Sequence, residues 1–227
     1  MLKVYLTKQN RKTIDFVLFE ADGKFVCKSS GKIGKSGIAN STLNAGSSEK
    51  AIAEIHNETK ELLKQGFVIS KMPDGFLLKD IVFDKAKWHV TKNFPESTDL
   101  YQSYVHTGLY ICWLIEKDLY ETDFKAEHIV SLHQLLNRQI SPAKFYETEL
   151  DGIFDSEGLT QKGIRFTLDY FDFEKGQYLT DYFRVLDPND NLQSMFHIED
   201  TWKNYDKLKV ILDKKFEDWN QKINTVL

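Results

Sequence analysis

A chain of 227 residues with a hydrophobic share of 41%, including 16 Phe, 10 Tyr and 4 Trp, carries enough apolar material for a packed core and excludes global disorder. Its two cysteines, Cys27 and Cys112, lie far apart without metal-ligand spacing, which excludes a disulfide scaffold and favours a reducing, cytoplasmic setting. The net charge of -4 is uneven: residues 1–80 hold 13 Lys/Arg against 9 Asp/Glu, and residues 81–227 hold 17 against 25, so two modules with different partners are expected.

In the first module, LKVYL, TIDFVLFE and KFVCKSS are short runs rich in β-branched and aromatic residues. Asp22-Gly23 between the last two is a hairpin signal, because a positive φ is cheap there. The glycine-rich loop SSGKIGKSG (29–37) follows, and IANSTL is a further strand. Ser47 is a suitable N-cap for a helix with Glu49 in its first turn. Ile52, Ile55, Thr59 and Leu62 define its apolar face, and Gly66 is placed to end it. The loop matches only the tail of a P-loop (Gly34, Lys35, Ser36), since Ser29 stands where the leading glycine belongs. No helix starts at the Lys-Ser pair either, so nucleotide hydrolysis is not expected.

The order hairpin, glycine-rich loop, strand and helix resembles the WGR domain over residues 1–70. Gly31, Ile33, Gly34 and Gly37 match its pattern, as do Ala51 within the helix and the closing Gly66-Phe67. The resemblance implies an antiparallel sheet with one helix, and contacts to DNA ends or to neighbouring domains. Ser30 and Lys32 occupy the family's tryptophan and arginine positions, which removes a stacking platform and a bidentate fork. Lys24, Lys28, Lys32 and Lys35 could still form a basic edge for nucleic acid. The competing expectation is that they only solvate and guard an edge strand.

The stretch KMPDGFLLKD opens a connection over residues 71–84, and helical spacing dominates residues 85–227. Tyr101–Ile115 is apolar on nearly every side and reads as a buried central helix. Its LYICWLI core is too short for the roughly 20 residues of a membrane span, and MLKVYLTKQNRKTIDF has no signal-peptide core, so no membrane partner is expected. Ile129, Leu132 and Leu136 suggest a second helix face, and Ser141-Pro142 starts a third helix with proline at its first position. Residues 159–171 and 178–186 follow. Leu208, Leu212, Phe216, Trp219 and Ile223 mark the last helix by steps of 4, 4, 3 and 4. The expected fold class is α+β: a small sheet-plus-helix domain followed by a mainly α-helical one.

The second module offers His89, His106, His197, Asp181, Asp200 and Asp206 as possible acids and bases, but no enzymatic motif fixes them together. His89 and His106, beside aromatics, read as satisfied core histidines, and Asp200 as a cap or turn residue before the last helix. DGIFDSEGL (151–159) misses the calcium-loop spacing and reads as an acidic turn. The segments Lys87-Trp88-His89, Phe94-Pro95, HTGLYICWLIEKDL, QYLTDYFRVL and FHIEDTWKNYDKL, with Trp219, resemble an uncharacterised bacterial helical domain family. That resemblance implies no cofactor and no reaction. Tyr and Trp interleaved with acids suit protein interfaces, so Asp181, Tyr182, Asp200, Trp202, Tyr205 and Asp206 are the candidate partner-binding residues. The reading is a non-catalytic, two-module binding protein without metal or cofactor, for instance one neutralising a basic bacterial toxin. Nucleic-acid binding by the first module is the alternative, and an unrecognised enzyme site in the second is the third reading.

Overall fold

The computed structural model describes residues 2–71, 81–91, 94–96, 98–171 and 176–225. Helices and an antiparallel sheet give an α+β protein whose chain divides into two compact units, Met1–Leu78 and Lys79–Thr225. The Pro73-Asp74-Gly75 turn expected between the modules lies outside the described residues.

The first unit is a five-stranded antiparallel sheet in the order β4-β3-β2-β1-β5, with one helix, α1. Strands β1 (Leu2–Gln9), β2 (Ile14–Asp22), β3 (Phe25–Lys32) and β4 (Ala39–Asn44) coincide with the four apolar runs. Period-two alternation puts Val4, Leu6, Val17, Phe19, Ala21 and Val26 in the core. Helix α1 (Ser48–Lys64) buries Ala51, Ile55, Thr59 and Leu62; Ile52, expected on that face, is 40% exposed. Ser47 caps the helix by accepting a hydrogen bond from the Lys50 N–H. At the other end Gly66 (φ 87°) donates to the Leu63 carbonyl and Phe67 to the Leu62 carbonyl, a paired C-terminal closure that needs the left-handed glycine. The chain then returns as β5 (Val68–Lys71) against β1, a four-residue strand that periodicity did not reveal.

The second unit begins with β6 (Val82–Lys85), inside the expected connection, and the single turn α2 (Ala86–His89). A 3-10 turn, Leu100–Tyr104, leads into α3 (Val105–Glu116), in which every residue from Val105 to Ile115 is buried. Around it stand α4 (Thr122–Glu127), α5 (Ile129–Leu136), α6 (Pro142–Glu149), α7 (Gln161–Tyr170), α8 (Tyr178–Leu186) and α9 (Trp202–Thr225). Between α6 and α7, β7 (Ile153–Asp155) pairs with β6, a small ladder where only an acidic turn was expected. Asp155 does act as a turn residue there, accepting from the Glu157 N–H. Helix α5 departs from the expected face: Ser131, Leu132 and Leu135 are buried, whereas Ile129 and Leu136 are 66% and 52% exposed. Eight residues are two turns, too few for spacing alone to fix which face is buried.

Helices α3 and α6 cross at Gly108. A Cβ there would lie 2.6 Å from the Ala143 Cα and 2.8 Å from the Pro142 carbonyl oxygen, both backbone atoms. Trp113 then joins α3 to α9 through its Nε1–H, which donates to Asp213 at 2.9 Å. Gly108→Ala is expected to force the helices apart and cost about 1–3 kcal/mol by overpacking. Urea denaturation with an unchanged m-value checks this, and a loss under about 0.5 kcal/mol would mean that the crossing yields freely.

Candidate functional site

The four lysines of the first unit do not form one edge. Lys24 sits in the β2–β3 turn, at the opposite end of β3 from Lys32, roughly 26 Å away at about 3.3 Å per strand residue. Lys28 is already engaged: its Nζ lies 2.6 Å from Glu58 of α1 and 5.5 Å from the centre of the Phe19 ring. Lys28, Lys32 and Lys35 do meet, around an open cleft of about 550 Å³ that Asp15 and Phe16 also line.

The six candidate partner-binding residues do not form one surface either. Tyr182 and Tyr205 are 0% exposed and Asp181 is 3% exposed, so an external partner cannot reach them. Asp181 accepts from the Tyr170 hydroxyl at 3.0 Å and from Arg184 at 2.7 Å, and Lys215 Nζ lies 3.2 Å away. The signal for this burial was present in the sequence. Tyr178, Asp181 and Tyr182 step by 3 and 1 on the core face of α8, and Tyr205, Leu208 and Leu212 by 3 and 4 on that of α9. Asp200 is not the cap of α9; Thr201 is, through its Oγ1 on the Asn204 N–H. Asp200 accepts instead from the Tyr101 hydroxyl at 2.7 Å and from the Ala143 N–H at 3.4 Å.

Trp202 and Asp206 stay accessible, but as parts of a closed cluster. Arg138, just beyond α5, grips Asp206 with two bonds of 2.9 and 2.6 Å and holds its guanidinium 4.9 Å from the centre of the Trp202 ring. The hydrogen bond from Arg138 keeps the Asp206 carboxyl below its usual range. Leu136, two residues before Arg138, and Val210, one helical turn after Asp206, are exposed, the latter by 65%, and α5 also displays Ile129 and Val130. Exposed acids, Glu121, Asp123 and Glu127, precede that apolar stripe.

A different constellation lies deeper. Asp84, on β6 and 0% exposed, receives the Thr107 Oγ1–H on Oδ2 at 2.6 Å. His89, at the end of α2, has its Nε2 2.8 Å from Asp84 Oδ1. His106, in the first turn of α3, has its Nε2 3.1 Å from His89 Nε2 and 3.6 Å from Asp84 Oδ2. The two imidazoles meet edge to face at an interplanar angle of 85°. The ring of Phe196 lies 6.0 and 6.4 Å from those of His89 and His106, and the Phe94 ring lies tilted beside it at 4.6 Å. The Tyr178 hydroxyl donates to the His106 carbonyl, which fixes the start of α3. His197, another candidate base, has its Nδ1 2.9 Å from the Ser194 Oγ.

The electrostatics of this cluster follow from its burial. Burial alone would raise the Asp84 carboxyl, but hydrogen bonds from His89 and Thr107 hold it below its usual value. Burial pushes the His106 imidazole down to about 3, against the pull of Asp84. An ionised carboxylate only accepts, so His89 Nε2 carries the proton it gives to Asp84. Among the described residues, one ligating atom from each of Asp84, His89 and His106 lies within 4.8 Å of the other two, the arrangement of a metal site. Both histidines sit beside aromatic rings, as expected for core residues, and His106 is 1% exposed. Sequence spacing did not reveal Asp84, which stood in the expected connection, 5 and 22 positions from its partners, a spacing that no motif template covers.

No helix among the described residues is long and apolar enough to cross a membrane. No curated protein and no solved structure matches the chain. Residues 82–198, slightly more than half of its length, match the model of a family described as a domain of unknown function, DUF7832. The matched span begins on β6, contains Asp84, His89, His106 and Phe196, and ends before Trp202. The chain belongs to the DUF7832 family.

Proposed function

We propose that the chain is a two-module recognition protein whose helical unit binds a protein partner at the surface around Trp202. The observation that carries this reading is the Arg138–Trp202–Asp206 cluster beside exposed Leu136 and Val210. Tryptophan and arginine are the residue types that most often dominate binding energy. Here the arginine is held rigid before any partner arrives, which lowers the entropy lost on binding. Exposed apolar side chains in number mark interaction sites, and α5 also exposes Ile129 and Val130 at its first turn. The partner has an apolar centre and a basic margin, because Glu121, Asp123 and Glu127 lie next to the apolar stripe. A basic toxin neutralised by this protein is the most specific version.

The test is a partner capture from the native host, identified by mass spectrometry and followed by affinity measurements with variants. Val130→Asp and Trp202→Ala are each expected to weaken binding at least tenfold, about 1.4 kcal/mol, with an unchanged circular dichroism spectrum. Folded variants that keep full affinity would move the interface elsewhere.

The cleft lined by Lys28, Lys32 and Lys35 supports a second reading, nucleic-acid binding by the first unit. Such binding is electrostatic and weakens steeply with salt. Lys32→Glu with Lys35→Glu is expected to abolish an anisotropy shift seen near 50 mM salt. A wild-type protein giving no shift at that salt concentration would remove the reading.

A further inference from the structure

We infer that Asp84, His89 and His106 form a binding site for a divalent transition-metal ion of the zinc type, with both Nε2 atoms and the Asp84 carboxylate as ligands. The inference is independent of the partner reading.

The donor set comes first. Two imidazole nitrogens and one carboxylate suit zinc and its transition-metal neighbours, whereas magnesium and calcium prefer oxygen alone. Spacing agrees with this. Bonds of roughly 2.0–2.1 Å in tetrahedral or octahedral geometry set neighbouring ligand atoms about 2.8–3.4 Å apart. The nitrogens are 3.1 Å from each other, and each has a carboxylate oxygen at 2.8 or 3.6 Å. The oxygen near His89 is Oδ1 and the one near His106 is Oδ2, and one ligating atom from each residue lies within 4.8 Å of the other two, close enough to share an ion.

A buried carboxylate beside two imidazoles suits a cation. Thr107 and His89 already give the Asp84 carboxylate two hydrogen bonds. The second imidazole brings its Nε2 to 3.1 Å from His89 Nε2 and 3.6 Å from Asp84 Oδ2. A cation among them interacts favourably with all three groups at once.

The supports are those of a metal centre. Thr107 orients the carboxylate, the Tyr178 hydroxyl fixes the His106 backbone, and the β6–β7 ladder holds Asp84 in register with Phe154. Asp84 and His106 are sealed, while the His89 side chain keeps 17% exposure and gives an ion its way in. Phe196, itself backed by Phe94, sets an apolar ring beside both histidines, which strengthens charge interactions within the site.

The experiment uses the full chain carrying Cys27→Ser, because the exposed Cys27 thiol could otherwise bind soft metals. After removal of metal with a chelator, Zn²⁺ and Co²⁺ are titrated by calorimetry and by the visible absorption of bound cobalt, with Mg²⁺ as the contrasting ion. The expected result is one Zn²⁺ or Co²⁺ per chain, at least a hundredfold preference over Mg²⁺, and a raised melting temperature with metal. His89→Ala, on the accessible side, and His106→Gln are each expected to weaken Co²⁺ binding at least tenfold. His133→Ala, on the exposed side of α5, should leave it unchanged. Asp84→Asn preserves shape and should also weaken binding. No Zn²⁺ or Co²⁺ uptake by the folded protein would overturn the inference. So would equal binding by folded His89→Ala, or no preference over Mg²⁺.

Discussion

The second unit depends on one constraint, the complete burial of α3. A helix with no solvent-facing side must satisfy every polar group it carries inside the protein, because an unpaired buried polar group costs about 1–3 kcal/mol. His106 and Thr107 are two such groups, at the start of the helix. Both meet Asp84, whose own burial is tolerable only with those partners. The carboxylate is brought to them by the β6–β7 ladder, and α2 carries His89 round to its other oxygen. The fold and the histidine–carboxylate cluster are therefore one arrangement. Gly108, one residue after Thr107, lets α6 close over the same helix at backbone contact.

Charge in this protein is handled locally. Asp206 is held by Arg138, Asp213 by Lys117, Glu116 by Lys209, and Asp181 by Arg184 and Lys215. An excess of acids counted along residues 81–227 thus does not translate into an acidic face at α8 and α9. The acids left accessible beside an apolar stripe are those of α4 and the turn before it. For this reason the proposed partner surface differs from the six-residue set read from sequence, although Trp202 and Asp206 belong to both.

Elements with their own chemical punctuation were legible in the sequence. The Asp22-Gly23 hairpin, the Ser47 cap, the Gly66 closure and the proline that opens α6 each rest on a local rule and each occurs in the structure. Elements without such punctuation were not. Strands β5, β6 and β7 are three or four residues long, and they exist because a neighbouring strand pairs with them. Tyr182 and Tyr205 were read as surface residues from their acidic neighbours, although their helical spacing already gave the buried face. Asp84 shows the deeper limit. Its meaning comes from residues 89, 106 and 107, which only the folded chain brings to it.

The most direct test of this account is a double-mutant cycle between Asp84→Asn and Thr107→Val on the metal-free protein, followed by urea denaturation. If the buried carboxylate is what satisfies the polar start of α3, the two changes are coupled. The predicted interaction energy is roughly 1.5–3 kcal/mol, the range of a hydrogen bond to a charged group. Additive losses, within about 0.5 kcal/mol, would show that the start of α3 is stable without Asp84 and would contradict the account.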